Sequence, residues 1–150
     1  MTIRKIQEFQ KIHYDLSLLA DPNKDLIEDY TKRSVCFDLI LNETIIGILI
    51  LLPTRPETLE IVNVSVSKEY QGQGYGEELI QFALTHAKKN HYKIVEIGTG
   101  STSFGQLYLY QKCGFRMISI DHDFFLRHYE EEIIEHKLIL RDMVRLSINV

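Results

Sequence analysis

The chain has 150 residues, a formal net charge of −4 and 45% hydrophobic residues, enough for one domain, 1–150, with a continuous core. The acidic balance argues against a general nucleic-acid binder, which carries a basic stripe, and the longest apolar run, Ile45–Leu52, falls far short of the ~20 residues of a membrane span. Two cysteines at no metal-ligand spacing, Cys36 and Cys113, and a polar N-terminus without a signal peptide give a cytoplasmic expectation.

In chain order, Ile3, Ile6, Phe9, Ile12, Leu16 and Leu19 recur at steps of three and four, which predicts an amphipathic helix over 3–19. Asp21-Pro22 breaks it, and Asp21 is placed to cap a second helix over 22–31 that buries Leu26, Ile27 and Tyr30. At Val35 the period changes. VCFDLIL, the turn Asn42-Glu43 and TIIGILILLP read as two antiparallel strands, the second apolar on both faces and therefore central. A third strand, Leu59–Ser67, leads into the turn Gln71-Gly72-Gln73-Gly74-Tyr75-Gly76 and then a helix over Tyr75–Lys89. Lys93–Gly98 is a fourth strand, parallel to the third by a right-handed crossover. The polar loop Thr99–Ser103 caps a helix over Phe104–Lys112, which Gly114 stops. Phe115–Ile120 and Leu138–Ile148 read as strands, the latter one long final strand. Between them lies a lip, Asp121–Lys137, rich in aromatics and acids.

A strand, a glycine-rich turn and a helix in succession make a phosphate cradle: backbone N–H groups converge on the anion and the helix N-terminus adds positive potential. Two nucleotide motifs fail on spacing. A dinucleotide fingerprint needs glycine where Glu77 stands, and a P-loop needs Lys-Ser/Thr after Gly76. Metal chemistry is not expected, because His122, His128 and His136 lack helical i, i+4 pairing and nearby cysteines.

Gln71–Gly76 resembles the Gln/Arg-x-x-Gly-x-Gly/Ala signature of the GNAT acyltransferase superfamily, and Leu109-Tyr110-Gln111-Lys112-Cys113-Gly114-Phe115 resembles its second signature, in the right order. The resemblance extends from about Val35 to the C-terminus; the family usually opens with a strand, for which Thr2–Lys5 is the one remnant on offer. It implies an α/β fold with a mixed, mostly antiparallel sheet, a splayed parallel central pair and helices on both faces. It also implies an N-acetyltransferase that moves acetyl from acetyl-CoA to a primary amine of a small molecule by direct attack. Gln71, Gly72, Gln73, Gly74, Tyr75 and Gly76 would then hold the pyrophosphate, and Val64, Ser65 and Val66 the pantetheine arm, with the Val66 N–H on the thioester oxygen. Ser103 stands where the family usually has asparagine, with a hydroxyl as the substitute contact.

An alkylammonium with a pKa of about 10.4 has no lone pair at neutral pH, so the reaction needs a base; the departing thiolate needs a proton. By resemblance, Tyr110 is the acid, with Tyr108 as the internal competitor, and Glu60, eleven residues before Gln71, is the base. Glu96 and an ordered water are alternative bases. The lip offers acids to a cationic acceptor. Two rivals stand beside this reading: a non-catalytic acyl-CoA-binding domain, and peptide or protein acetylation. A homodimer through the last strand is a further possibility.

Overall fold

The stretch Val35–Arg55 builds the centre of the molecule, and the computed structural model, which describes all 150 residues, shows why. Strands β1 (Thr2–Lys5), β2 (Val35–Leu41), β3 (Thr44–Arg55), β4 (Thr58–Val66), β5 (Ile94–Gly100) and β6 (Arg116–Asp121) join a late strand in one sheet. Two short strands, β7 (Ile134–Glu135) and β8 (Leu138–Ile139), form a separate ribbon, and the late strand is β9 (Met143–Asn149). The order across the large sheet is β1-β2-β3-β4-β5-β9-β6. Every neighbouring pair is antiparallel except β4 and β5.

Helices cover both faces. On one lie α1 (Lys11–Ala20) and α2 (Lys24–Thr31); on the other lie α3 (Tyr75–Lys89) and α4 (Phe104–Lys112), and a short α5 (Phe124–His128) belongs to the lip. The main core, under α3 and α4, gathers Leu39, Leu49, Leu51, Leu59, Ile61, Leu79, Ile80, Val95 and Leu146. A smaller cluster of Leu16, Cys36, Ile48 and Ile50 lies under α1. β3 is buried for six consecutive residues because it faces helices on both sides, so it needs no polar alternation. Gly47 within it is steric: a Cβ there would lie 3.1 Å from the Ser65 carbonyl oxygen and 3.3 Å from Leu39. No helix is long and apolar enough to cross a membrane.

Three sequence expectations change. The helix expected over 3–19 is two elements, because residues 2–5 pair as an edge strand with β2, from Thr2 opposite Ile40 to Lys5 opposite Phe37. Ile3 joins the main core while Ile6 joins the cluster on the opposite side of the sheet, an arrangement that one helical stripe cannot give. Arg4 and the buried His13 both meet buried Asp38, each at 3.0 Å. The Gln10 N–H donates to His13 Nδ1, so the proton on Nε2 faces the Asp38 carboxylate. The cap of α2 is Asn23, whose Oδ1 accepts from the Leu26 N–H, in place of Asp21. The long final strand is interrupted at residues 140–142. There the Ser101 N–H donates to the Asp142 carbonyl and the Asp123 N–H to its carboxylate, and Leu140 turns inward against Gly100.

Candidate active site

The parallel ladder between β4 and β5 is short. It runs from Thr58 opposite Ile94 to Ile61 opposite Ile97 and then stops. β4 carries a bulge at the same point, since Ile61 pairs with Leu51 and Asn63 with Ile50, leaving Val62 over. Beyond it the strands part: β4 stays with β3 as far as Val66 opposite Gly47, and β5 continues with β9. The Ser67 N–H donates to the Ile46 carbonyl. By the alternation of an antiparallel ladder, Val64 and Val66 therefore turn their backbone groups away from β3 and into the gap beside β5. The sequence-predicted Val64, Ser65 and Val66 all line this half of β4.

The glycine turn sits at the end of that gap. A 3-10 turn, Lys68–Tyr70, is followed by Gln71, whose Nε2 donates back to the Val66 carbonyl at 2.9 Å and ties the turn to the strand. Gly72 and Gly74 have φ of +74° and +90°, a region costly for any residue with a Cβ, and a Cβ at either would meet no atom within 4 Å. Gln73 Nε2 donates to the Glu69 carbonyl, and Gly74 caps α3 without a side chain. The first backbone donor of this helix to find an acceptor is Glu78, to the Gly74 carbonyl, so the N–H groups of Tyr75, Gly76 and Glu77 are available to an anion. Gly76 would tolerate a Cβ at ordinary distance, 3.6 Å from Leu109.

Tyr110 lies on the inner face of α4, 5% exposed, against Phe115. Its hydroxyl makes no hydrogen bond, and no buried polar side-chain atom in the chain lacks a partner, so the exposed remnant includes that oxygen. Burial, with the Cys113 thiol adding to it, raises the Tyr110 pKa and keeps the phenol protonated. Tyr108, the competitor, is 69% exposed and faces solvent. Cys113 is held above its ordinary pKa by burial and by Glu77, the wrong direction for a nucleophilic thiolate.

Glu60 occupies the opposite face of β4. It stands directly across from Glu96 on β5, which in turn stands across from Ser147 on β9. Glu96 is ion-paired with Arg55 at 2.6 Å; Glu60 has no ion pair within 4 Å. Burial raises the Glu60 pKa; Arg145 opposes this, Glu96 adds to it, and Arg55 opposes it. Such a carboxylate accepts a proton more readily than an exposed one.

Ser103 is oriented differently from its expected role. Its hydroxyl donates to Glu135 of the lip at 2.7 Å, alongside Thr102 at 3.0 Å. The acid run Glu130-Glu131-Glu132 is exposed.

A polar chain that the sequence reading missed runs beside Glu60. Ser65 donates to Asn63, Asn63 donates to the Ser17 carbonyl and the Tyr30 hydroxyl, and both Tyr30 and Tyr129 donate to Asp21. Its one signal was Asn63, polar and buried in the run IVNVSV. Burial raises the pKa of both phenols, and Asp21 adds to the effect on each, so both remain donors. Through Tyr129 the lip is fastened to the α1–α2 junction, beside the Glu60 face. No cluster of three His, Cys, Asp or Glu side chains is placed to hold a metal.

Residues 3–115 match the acetyltransferase (GNAT) family. The chain belongs to that family. This GNAT acetyltransferase is 50% identical over 137 residues to the N-acetyltransferase YvbK of Bacillus subtilis strain 168, covering 91% of this chain and 88% of that one. Among solved structures, a GNAT acetyltransferase from Elizabethkingia anophelis with acetyl-CoA bound superposes with a TM-score of 0.96 at 42% identity, covering 99% of this chain and 97% of the other. An IAA acetyltransferase from Bacillus cereus ATCC 14579 gives 0.94 at 43% identity over 99% of both chains. The fold class and the acetyl-CoA-dependent N-acetyltransferase activity expected from the two signatures accordingly hold.

Proposed function

We propose that this N-acetyltransferase acts on the primary amine of a small molecule, with Glu60 as base and Tyr110 as acid on opposite faces of the sheet. The observation that carries this reading is the parting of β4 and β5 beyond Ile61 and Ile97. The gap so formed begins just beyond Glu60 on β4 and ends at the glycine turn. The pyrophosphate of acetyl-CoA fits the free N–H groups at the start of α3, together with Gln71–Gly76. Its pantetheine arm pairs with the backbone of Val64–Val66, in the manner of an added strand.

The steps follow from this arrangement. The amine enters from the Glu60 face and gives up a proton to that carboxylate, directly or through a water. Its lone pair attacks the thioester carbon, the oxygen takes the developing charge, and the Val66 N–H stabilises it. The carbon–sulfur bond then breaks as the newly bonded nitrogen loses its second proton to solvent, and Tyr110 gives its proton to the leaving sulfur, recovering one from solvent through its exposed oxygen. Glu96 is a weaker candidate base, because Arg55 already neutralises it. Ser103 offers the cofactor the acceptor side of its hydroxyl, since that hydroxyl's proton goes to Glu135 and its backbone N–H and carbonyl are taken by Gly100 and Leu107.

The lip supports a small acceptor over a peptide: Tyr129 bridges to Asp21 where an open groove would otherwise run. The name of the B. cereus relative, an IAA acetyltransferase, points the same way. Two free thiols, one of them buried, suit a reducing compartment such as the cytoplasm. Calorimetry with acetyl-CoA, followed by a thiol-release screen over primary amines, tests the reading. Tight binding with CoA released only when an amine is supplied is the expected result. Binding without release on any amine would make the chain a non-catalytic acyl-CoA binder.

A further inference from the structure

The sheet face that carries Glu60 also carries a cation with no hydrogen-bond partner. Residues directly opposite in a ladder point to the same side, so Glu60, Glu96 and Ser147 share a face, and Arg145, opposite Gly98, shares it two residues further along. The space over Gly98 is taken by the Met143 side chain, whose sulfur would lie 2.7 Å from a Cβ there, so an apolar thioether floors this part of the face. The Arg145 guanidinium makes no hydrogen bond to any protein group. It lies 5.9 Å from the centre of the Phe124 ring on the lip, and its one acidic neighbour within 4 Å is Asp121, at 3.6 Å. Asp121 is itself held by Arg127, which makes a short bond to the other carboxylate oxygen. The Arg145 side chain keeps 39% of its surface exposed.

The charges on this face fall into two groups. Arg55 with Glu96, and Arg127 with Asp121, are mutually engaged. What remains is one carboxylate, Glu60, without an ion pair, and one guanidinium, Arg145, without a hydrogen bond. Two strand spacings and two residue rises separate their backbones by about 12 Å. Their mutual influence is visible in Glu60, where Arg145 is the strongest force opposing the rise in pKa. A planar guanidinium with unused donors, beside an aromatic ring, is the group best shaped to take a carboxylate two-pronged.

We infer that the acceptor carries both signs: an amino acid or amino-acid-like compound whose ammonium faces Glu60 and whose carboxylate is bound by Arg145 above Phe124. Arg145 is thus a specificity-determining residue. A polyamine, by contrast, would bring a second cation against Arg145. The inference rests on the acetyl-transfer reading above, and on the amine entering from the Glu60 face.

The test compares a panel of α- and ω-amino acids, aromatic members included, with the matching amines that lack the carboxylate. CoA release would be measured for the native chain, Arg145→Gln and Arg145→Lys. For at least one pair the native enzyme should favour the carboxylate-bearing member by tenfold or more in kcat/KM. Arg145→Gln should reduce that ratio at least tenfold, with thermal melting and acetyl-CoA affinity showing that the variant is folded, and Arg145→Lys should retain an intermediate ratio. A native enzyme that favours the plain amine in every pair, or an Arg145→Gln variant with the ratio intact, overturns the inference while acetyl transfer stands. Release of CoA from no member of either series, with acetyl-CoA bound, overturns both.

Discussion

Substitution of Gly74 by alanine separates the backbone role of the glycine turn from its proposed role as a pyrophosphate seat. Gly74 has φ of +90° and ψ of 0°, and a methyl group there would meet no protein atom within 4 Å. No clash contributes, so the cost to folding is conformational: about 1–2 kcal/mol for holding an L-residue in the left-handed region. In a domain of this size that corresponds to a fall in Tm of roughly 2–8 °C. The same methyl group projects into the space over the α3 N-terminus, where a phosphate oxygen would approach the backbone. The acetyl-CoA Kd should therefore rise more than tenfold, the equivalent of about 1.4 kcal/mol beyond the folding cost. Gly105 is the control for stability. A Cβ there also meets nothing within 4 Å, but the residue sits inside α4 with no positive φ. Gly105→Ala should stabilise by about 0.5–1 kcal/mol. Thermal melts give the stabilities and calorimetry gives the affinity. A Gly74→Ala variant that melts lower yet binds acetyl-CoA at native strength would refute the seat and leave a merely structural turn.

Glu60→Gln should lower kcat by about a hundredfold and remove the acidic limb of the pH–rate profile. Because the folded-state pKa of Glu60 is raised, chiefly by burial, its protonated form favours folding and that contribution is lost as pH rises through the folded value; the glutamine variant should accordingly melt higher than native at neutral pH. Tyr110→Phe should lower kcat roughly tenfold to a hundredfold with acetyl-CoA affinity unchanged. In the native enzyme the raised pKa of this buried phenol predicts no loss of rate from its ionisation up to about pH 10. Glu43→Gly should stabilise by about 1 kcal/mol in denaturant melts, because Asn42 and Glu43 form the β2–β3 turn at φ of 50° and 66°, where glycine suits the second position. Asp38→Ala should cost about 3–5 kcal/mol, since it leaves the His13 Nε2 proton and the Arg4 guanidinium without their buried acceptor.

What could be read from the sequence was whatever depends on local chemistry. Glycines at 72 and 74 announce the turn because few other residues adopt those angles, and the stripe Leu79, Phe82, Ala83, His86 and Ala87 announces α3 because its members lie on one helical face, of which Leu79, Ala83 and Ala87 are fully buried. Tyr110 was separable from Tyr108 because two residues on a helix point different ways, and burial divides them as expected. The elements that were misread take their form from distant partners. Residues 2–5 are extended because β2 offers them an edge. The final strand breaks where the Asp142 carbonyl and carboxylate meet Ser101 and Asp123. The Glu60 face was legible only at Glu60. Arg145 approaches it through a pairing of β5 with β9 that spans some fifty residues of chain, and neither residue's neighbours in sequence carry a trace of the other.

The position of β9 in the sheet bears on how the protein is made. β9 is the last of the sheet's strands in chain order, yet it lies between β5 and β6, both of which precede it. Until Met143–Asn149 is synthesised, β5 has one edge open and β6 has no partner at all. Helices α3 and α4 must wait against a surface that lacks Val144 and Leu146. A chain in which β9 is not yet placed therefore exposes unpaired strand edges that invite aggregation, and this sheet is completed by inserting a strand between two that precede it. Loss of Met143–Asn149 would take out an interior strand and leave β6 detached from the sheet, a larger injury than the loss of an edge strand.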